Sequence, residues 1–329
     1  MNTYLKCVTR TVLILVSSII ACRLAYYVCV TYFFDTVIYY KSTEYGYWIP
    51  GGHTELTDFG RRAWDVIPLF DRSLLSGIPS EYRALQNDTR PHTFTIAMIG
   101  DSYVWGQGVL FSNSVSQVLE RKLNAVRKTR VLSLASPGDD MVENYSKYLY
   151  LRDKHMDLYI FVPVNNDVML NLRRDYDQKI YDMLITPCEQ TTGHAVSGVG
   201  PADWNKGMKY YNRKIREAYA NPSNICVLNI VAAAYPKDRA IYFIPDDYFN
   251  IDTTTHIYET ALARDGLYIL SSSLARNSPV YGKYFSDTDR YFHVSSLEEH
   301  PSALAHRMYA DVLFHEITTN RRWNFVPSR

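Results

Sequence analysis

The chain has 329 residues, with 35 Lys and Arg against 34 Asp and Glu, so its formal net charge at pH 7 is +1. This balance excludes the basic stripe of a nucleic-acid-binding protein and the like-charge block of an acidic tail. Aromatic residues make up 14% of the chain and include 28 tyrosines, a content that fits either core packing or a groove for sugars or acyl chains.

The N-terminal region contains an almost continuous apolar segment over residues 11–34. This segment is long enough to cross about 30 Å of hydrocarbon as a helix, and Arg23 within it is tolerated if it snorkels or finds a partner. Lys6 and Arg10 precede the segment and Asp35 follows it. The positive-inside rule therefore predicts a cytoplasmic N-terminus, a single-pass anchor, and a globular part in the periplasm or outside the cell.

Two alternatives to an uncleaved anchor remain open. A secretory signal peptide needs a small-residue cleavage site followed by a polar start of the mature chain. Ile19-Ile20-Ala21-Cys22 resembles a bacterial lipoprotein box, although the apolar residues 24–34 after it make a poor lipoprotein tether. A mature N-terminus at Cys22 would support the lipoprotein alternative.

The chain divides into three regions. We predict a cytoplasmic tip with its anchor over residues 1–35, an extended lead-in over 36–92, and one α/β domain over 93–329. The lead-in carries Tyr-Gly-Tyr followed by Pro and Gly-Gly, which is typical of extended chain and turns. Within the α/β domain, residues 169–222 are rich in loop signals and are predicted to form an insertion.

The α/β domain begins with alternating strand and helix patterns. Apolar runs predict strands, Ser114 and Gln117 form a candidate capping box at the start of the first long helix, and Ser302 is a candidate cap for the last one. This alternation predicts a parallel sheet with right-handed crossovers, in a three-layer α/β/α fold with a mostly parallel, five-stranded, flavodoxin-like sheet. The predicted strands are 95–99, 130–134, 157–162, 225–234 and 267–270, with helices over 115–123, 141–154, 254–263 and the C-terminal region.

Polar blocks follow the first three strands, and a fourth lies near the C-terminus. The carboxyl ends of parallel strands meet at one edge of a sheet, where ligands bind in open α/β folds. In this order the blocks resemble those of the SGNH (GDSL-like) hydrolase superfamily, in its membrane-anchored type, over a stretch from Thr93 to about Thr319. The blocks are Gly100-Asp101-Ser102, Ser136-Pro137-Gly138-Asp139, Val164-Asn165-Asn166-Asp167 and Glu298-Glu299-His300-Pro301-Ser302.

The resemblance implies a role for each block. Ser102 would be the nucleophile and His300 its general base, because a serine hydroxyl attacks well only when a base takes its proton. The backbone N–H groups of Ser102 and Gly138 and the side-chain amide of Asn166 would form the oxyanion hole. Asp101 would brace the nucleophile loop. The family needs neither a metal nor an organic cofactor, so we expect none.

The chain departs from the family pattern at the position of the acid that orients the histidine. The family often has an aspartate three residues before the histidine, and Leu297 occupies that position. Glu298, two residues before His300, is the predicted orienting acid, since its longer side chain can reach the same ring nitrogen. Glu299 is the fallback.

The third block also departs from the family pattern. Val164 and Asn165 stand where the family usually has Gly-x before Asn-Asp, so Asn165 competes with Asn166 for the oxyanion role. Register with Asp167 favours Asn166.

Two further histidines and two cysteines complete the candidates. His293, near two aspartates, is a reserve base, whereas His306 falls on the last helix and is predicted to be structural. Cys188 and Cys226 are the only cysteines outside the N-terminal region. An oxidising compartment would permit a disulfide between them, and two buried thiols are the alternative.

These observations predict a serine-dependent ester hydrolase, an acyl or acetyl esterase, that acts outside the cytoplasm on an ester or an acylated glycan. Two alternatives remain: an O-acyltransferase that modifies a surface polysaccharide, and a non-catalytic surface or assembly protein with this fold. The acyl chain and the oligomeric state are left open.

Overall fold

A computed structural model of the protein describes residues 14–25, 38–41, 48–51 and most of 93–326. In the last range it leaves out residues 107–108, 110–112, 136–137, 165, 172–180, 200–207, 246–265, 287–291 and 296–297.

The centre of the fold is a five-stranded sheet in the order β4 (Thr129–Ala135), β3 (Phe94–Gly100), β5 (Leu158–Val162), β8 (Ala240–Ile244) and β9 (Tyr268–Ser271). All of its pairings are parallel. By order of appearance this is 2-1-3-4-5, the flavodoxin-like order, so the parallel five-stranded sheet predicted from the sequence is confirmed. The strands outside this sheet are β1 (Ile38–Lys41), β2 (Trp48–Gly51), β6 (Leu170–Asn171), β7 (Gly198–Val199), β10 (His293–Ser295) and β11 (Glu298–Pro301).

Helices cover both faces of the sheet. One apolar cluster joins α3 (Met141–Leu151), α5 (Met208–Ala220) and α6 (Pro222–Ala234) to alternate strand residues such as Ala97 and Ile99. A second joins α2 (Val115–Asn124) and α7 (Ala303–Thr319) to Ile96 and Met98. Strands covered on both faces read as continuous apolar runs, as β3 and β5 do. The helices are α1 (Ser102–Trp105), α2 (Val115–Asn124), α3 (Met141–Leu151), α4 (Thr186–Thr192), α5 (Met208–Ala220), α6 (Pro222–Ala234) and α7 (Ala303–Thr319), with a π-helical turn Tyr181–Ile185 before α4 and 3₁₀ helices Ser272–Asn277, Gly282–Ser286 and Arg321–Trp323.

The strand predicted over residues 225–234 is wrong, because this stretch is helix α6. Pro222 opens the helix and the Asn221 side chain caps it by accepting from the Ser223 N–H, at 2.8 Å. An apolar run without clear periodicity fits a buried helix as well as a buried strand, and here the Asn-Pro start favours the helix. The fourth strand is instead β8, a fully buried run of five residues.

The predicted capping box at the start of α2 is also absent. Ser114 is the N-cap residue, but its hydroxyl makes no capping bond and lies 3.3 Å from the Ser116 hydroxyl. The Val115 N–H instead donates to Nδ1 of the buried His306, at 3.2 Å. A side chain on α7 therefore completes the start of α2, which is the structural role predicted for His306.

The predicted insertion over residues 169–222 contains more regular structure than its loop signals suggested. A π-helical turn, α4 and α5 all lie within it. A disulfide joins Cys188 on α4 to Cys226 on α6, which resolves the question that the sequence left open in favour of the bonded pair.

The predicted anchor is described only in part. Residues 14–25 are helical with exposed side chains, and the rest of the apolar segment lies outside the described residues. In the part of the chain that the structure describes, no helix is long and apolar enough to span a membrane. The helix predicted over 254–263 and most of the 36–92 lead-in fall outside the described residues as well.

Candidate active site

Three strand ends are level at one edge of the sheet. Gly100 on β3 pairs with Ala135 on β4 and with Val162 on β5. Ser102 therefore follows β3, Gly138 follows β4 and Asn166 follows β5, all from the same edge. The three residues predicted to supply oxyanion donors thus leave three adjacent strands at one level.

The candidate nucleophile, Ser102, lies in a tight turn between β3 and α1. A Cβ on Gly100 would lie 2.5 Å from a Val104 methyl group and 3.0 Å from the Val162 carbonyl oxygen, so only glycine lets α1 begin this close to the strand. The Asp101 carboxylate caps α1 by accepting from the Tyr103 N–H at 2.9 Å. Ser102 is the first helical residue, and its side chain is largely buried.

The candidate general base, His300, comes from the far end of the chain. His300 Nε2 lies 2.9 Å from Ser102 Oγ, although 198 residues separate them in sequence. His300 belongs to β11, which pairs with β10 and precedes α7. Ser302 caps α7 with its hydroxyl and donates its N–H to the Phe292 carbonyl at 2.7 Å. These bonds hold the histidine loop against the domain. The ring that contacts the serine is that of His300, and the reserve role of His293 stays a prediction.

Asp101 contacts the nucleophile as well. The Ser102 hydroxyl donates to Asp101 Oδ2 at 3.1 Å. A hydroxyl has one proton, so it donates either to Asp101 or to a neutral His300, and nucleophilic attack requires the second arrangement. The pKa of Asp101 is raised to about 6, and burial is the largest cause. The charge of Asp139 also raises this pKa, whereas the Tyr103 N–H, His300 and the Ser102 hydroxyl lower it. Asp101 therefore caps α1 at an electrostatic cost near neutral pH, and its role as a brace for the nucleophile loop stays a prediction.

This cost predicts a pH-dependent stability difference for Asp101→Asn. A carboxyl whose folded pKa is raised binds its proton more tightly in the fold, so its ionisation destabilises the fold as pH rises through about 6. Asparagine keeps the cap acceptor and cannot ionise. Relative to the wild type, the variant's free energy of unfolding should rise by about 2 kcal/mol between pH 4 and pH 8, since one pKa unit is about 1.4 kcal/mol. Denaturant titrations at several pH values measure this, and a difference that is constant with pH would contradict it.

The second block contains Gly138 and the third contains Asn166, both of which are predicted oxyanion donors. Gly138 has φ = 77°, in the left-handed region that favours glycine. Asn166 is partly exposed in a turn in which the Met169 N–H donates to its carbonyl at 2.9 Å. Asn165 lies outside the described residues, so the choice of Asn166 over Asn165 stays a prediction.

Asp167 anchors the third block to helix α3. Its Oδ2 accepts from the Val164 N–H at 3.2 Å and from Asn144 Nδ2 at 3.4 Å, and its carbonyl accepts from the Met141 N–H at 3.0 Å. Burial raises the pKa of Asp167 well above its ordinary value, and the nearby Asp101 raises it further. The sequence analysis used Asp167 only to choose between Asn165 and Asn166. In the structure its side chain and its carbonyl group also hold the third block against α3.

Sequence reasoning missed Lys147 altogether. This buried lysine on α3 forms an ion pair with the buried Asp139 and donates to the Gly100 carbonyl at 3.3 Å. The sequence does contain a pattern that could have identified it. Asn144, Lys147 and Leu151 recur at helical spacing, which places the lysine on the same helix face as an apolar residue, and a lysine on a buried face needs a buried partner for its charge.

The acid that orients His300 stays a prediction. The backbone of Glu298 and Glu299 belongs to β11, while their side chains and Leu297 lie outside the described part of the structure. The pairing of β11 with β10 changes register between the pairs His293–Pro301 and Ser295–Glu298, so the regular alternation of strand faces is interrupted next to His300. The choice of Glu298 over Glu299 therefore rests on its position in the sequence, two residues before His300.

A metal site is not evident at this edge of the sheet. Within the described ranges, no group of three or more His, Cys, Asp and Glu side chains is arranged to hold a metal ion.

Comparisons with known proteins give structural similarities only. No protein-family model matches the sequence, and no curated protein matches it. The chain is similar to a lipase/acylhydrolase from Enterococcus faecalis, at 12% identity and a TM-score of 0.42, over 71% of this chain and 98% of that one. It is similar to TesA at 13% identity and a TM-score of 0.39, over 68% of this chain and 97% of that one. A member of the lipolytic protein G-D-S-L family from Veillonella parvula DSM 2008 is similar at 11% identity and a TM-score of 0.37, over 69% of this chain and 99% of that one.

Proposed function

We propose that the protein is a serine-dependent acyl ester hydrolase of the SGNH type. The observation that carries the proposal is the 2.9 Å contact between His300 Nε2 and Ser102 Oγ at the carboxyl edge of a parallel sheet. The contact joins two residues that the sequence blocks had singled out separately. A base within hydrogen-bond reach of a hydroxyl is the first geometric requirement for an activated serine.

The reaction proceeds through a serine ester. Ser102 Oγ attacks the ester carbonyl carbon while His300 Nε2 takes the hydroxyl proton, and the carbonyl oxygen becomes an oxyanion. The backbone N–H groups of Ser102 and Gly138 and the side-chain amide of Asn166 donate hydrogen bonds that stabilise this oxyanion. His300 then gives its proton to the departing alcohol, which leaves an acyl-serine. Water then attacks the acyl carbon while His300 takes one of its protons, and His300 returns that proton to Ser102 Oγ as the acyl–serine bond breaks, which releases the acid and restores the serine.

The nature of the acyl acceptor separates esterase from O-acyltransferase. The same acyl-serine yields an acid when water attacks and a new ester when a sugar hydroxyl attacks. We favour water as the acceptor and a short acyl group on a glycan as the natural donor. If the protein is instead a non-catalytic assembly protein, no acyl-serine forms.

Turnover of an aryl acetate by the detergent-solubilised full chain tests the proposal. The wild type should release the phenol and acetate in equal amounts over many turnovers. If a sugar acceptor diverts acetate into a sugar ester at the expense of free acetate, the protein is an acyltransferase. Absence of turnover on any aryl ester would contradict both catalytic functions.

The proposed location is outside the cytoplasm, behind an N-terminal anchor. The apolar segment over residues 11–34, with Lys6 and Arg10 before it, supports this location. The disulfide between Cys188 and Cys226 supports it independently, because such bonds persist mainly in oxidising compartments.

The proposed location predicts the behaviour of reporter fusions at Tyr40. Alkaline phosphatase fused there should be active and a cytoplasm-dependent reporter inactive, because the positive residues before the apolar segment keep the N-terminus inside. Removing the charge of Lys6 and Arg10 together should reduce the ratio of the two signals. A fusion that is active only in the cytoplasm would overturn the topology.

A further inference from the structure

Lys147 places a buried positive charge behind the candidate active site. Its side chain is 4% exposed, and that of its ion-pair partner Asp139 is 1% exposed. The ammonium group also donates to the Gly100 carbonyl, at 3.3 Å. A lysine this deeply buried is rare and needs its charge compensated, which Asp139 does.

The two groups that Lys147 contacts belong to two different blocks of the site. Gly100 ends β3 two residues before Ser102, and Asp139 directly follows Gly138. One ammonium group therefore joins the backbone that carries the Ser102 N–H to the backbone that carries the Gly138 N–H. Both N–H groups are the proposed oxyanion donors.

The third block is tied to the same helix one turn earlier. Asn144 and Lys147 are three residues apart on α3 and lie on one face of it. The Asn144 amide donates to Asp167, the neighbour of Asn166. Helix α3 thus contacts all three blocks through two polar side chains, at the level where the strands end.

An ion pair of this kind is a poor source of stability. Removing two charges from water costs about as much as their mutual attraction returns, so a buried pair can often be replaced by neutral groups without loss of stability. What the pair supplies that a neutral contact does not is a strong, directional attachment of two backbone segments to one atom.

We propose that Lys147 is a positioning residue that fixes the placement of the Ser102 and Gly138 N–H groups relative to each other. The inference rests on the proposed function, because it assigns Lys147 a role in the oxyanion hole of that reaction. Donors in such a site act on charge that develops only in the transition state, so their displacement lowers kcat and leaves KM nearly unchanged.

The test compares three variants of the pair with a matched control, all in the full chain and on an aryl acetate. The variants are Lys147→Met, Asp139→Asn and the double variant. The control, Lys122→Met, makes the same substitution in the Lys122–Asp311 pair between α2 and α7, which is about one-third exposed. Active-site titration corrects every kcat for the folded, competent fraction. The double variant leaves no buried charge unpaired, so it keeps the test possible if a single variant does not fold.

Each variant of the pair should lower kcat roughly 10- to 100-fold, because displacements of about 1 Å in an active site can cost 100-fold. KM should stay within about threefold. The double variant should be no worse than the singles, since all three break the same contact. Binding of an aryl trifluoromethyl ketone, whose adduct with the serine carries an oxyanion, should weaken by a factor similar to the loss in kcat. Lys122→Met should match the wild type in all these measurements.

The possible outcomes separate the inference from the proposed function. If the wild type turns over the ester and the pair variants keep its kcat, Lys147 is not a positioning residue and the proposed function stands. If kcat falls while binding of the ketone does not weaken, the loss lies outside the oxyanion hole and the inference is wrong. A wild type without esterase activity overturns the proposed function and this inference with it.

Discussion

Ser102→Ala is expected to lower kcat for ester hydrolysis by about 10⁴-fold or more while the protein stays folded. The serine oxygen is the atom that forms the acyl intermediate, and loss of a serine nucleophile costs up to about 10⁶-fold in a well-studied serine hydrolase. Alanine fits the space of Ser102, and the Asp101 cap of α1 does not depend on the serine hydroxyl. Steady-state kinetics on an aryl acetate, with denaturant titration of the same samples, measures both quantities.

Ser116→Ala is the matched control for this substitution. Ser116 is also buried and lies near a helix start, but its hydroxyl contacts only Ser114 among the bonds that the structure gives it. It should retain wild-type kcat. If Ser102→Ala kept more than a small fraction of wild-type turnover in a preparation free of contaminating esterase, Ser102 would not be the nucleophile.

Glu298→Gln is expected to reduce kcat by roughly 10²- to 10⁴-fold, in the manner of substitutions of a triad acid. Glutamine keeps the shape of the side chain and loses the charge that stabilises the imidazolium of His300. The assignment rests on the sequence, since a glutamate two residues before His300 has a side chain long enough to reach back to the ring. The decisive measurement is kcat on one ester, with KM as the check on substrate binding.

Glu299→Gln is the natural comparison, because it makes the same change at the neighbouring residue. It should cost little. A large loss confined to Glu299→Gln would shift the assignment by one residue. Equal, small losses in both variants would mean that neither glutamate orients the ring and that the site works as a Ser-His dyad.

The sequence predicted the parallel core and the contact at its edge because local signals and tertiary structure agree there. Buried strands such as β3 and β5 can be recognised in the sequence as short apolar runs. The tight turn from β3 into α1 is marked by Gly100, where there is no room for a larger residue. The proximity of Ser102 and His300 followed from the order of the blocks and not from their spacing, since no pattern spans 198 residues.

The errors have physical causes as well. Helix α6 carries apolar residues on its partly exposed side as well as on its buried side, so the apolar pattern of its sequence does not distinguish a helix from a strand. The start of α2 is completed by His306 from α7, a contact that no local capping rule contains. The attachment of Lys147 to two blocks likewise depends on tertiary contacts, and the sequence shows only that a lysine falls on a buried face.

Covalent labelling by a fluorophosphonate tests the central claim most directly, because the reagent reacts with an activated serine and not with an ordinary one. The label should appear on the tryptic peptide that contains Ser102, at one equivalent per chain, and it should be absent from Ser102→Ala. The rate of labelling should fall when His300 is replaced by alanine, because the hydroxyl then has no base. Labelling that persists in Ser102→Ala, or a wild type that does not react while it is folded, would contradict the account.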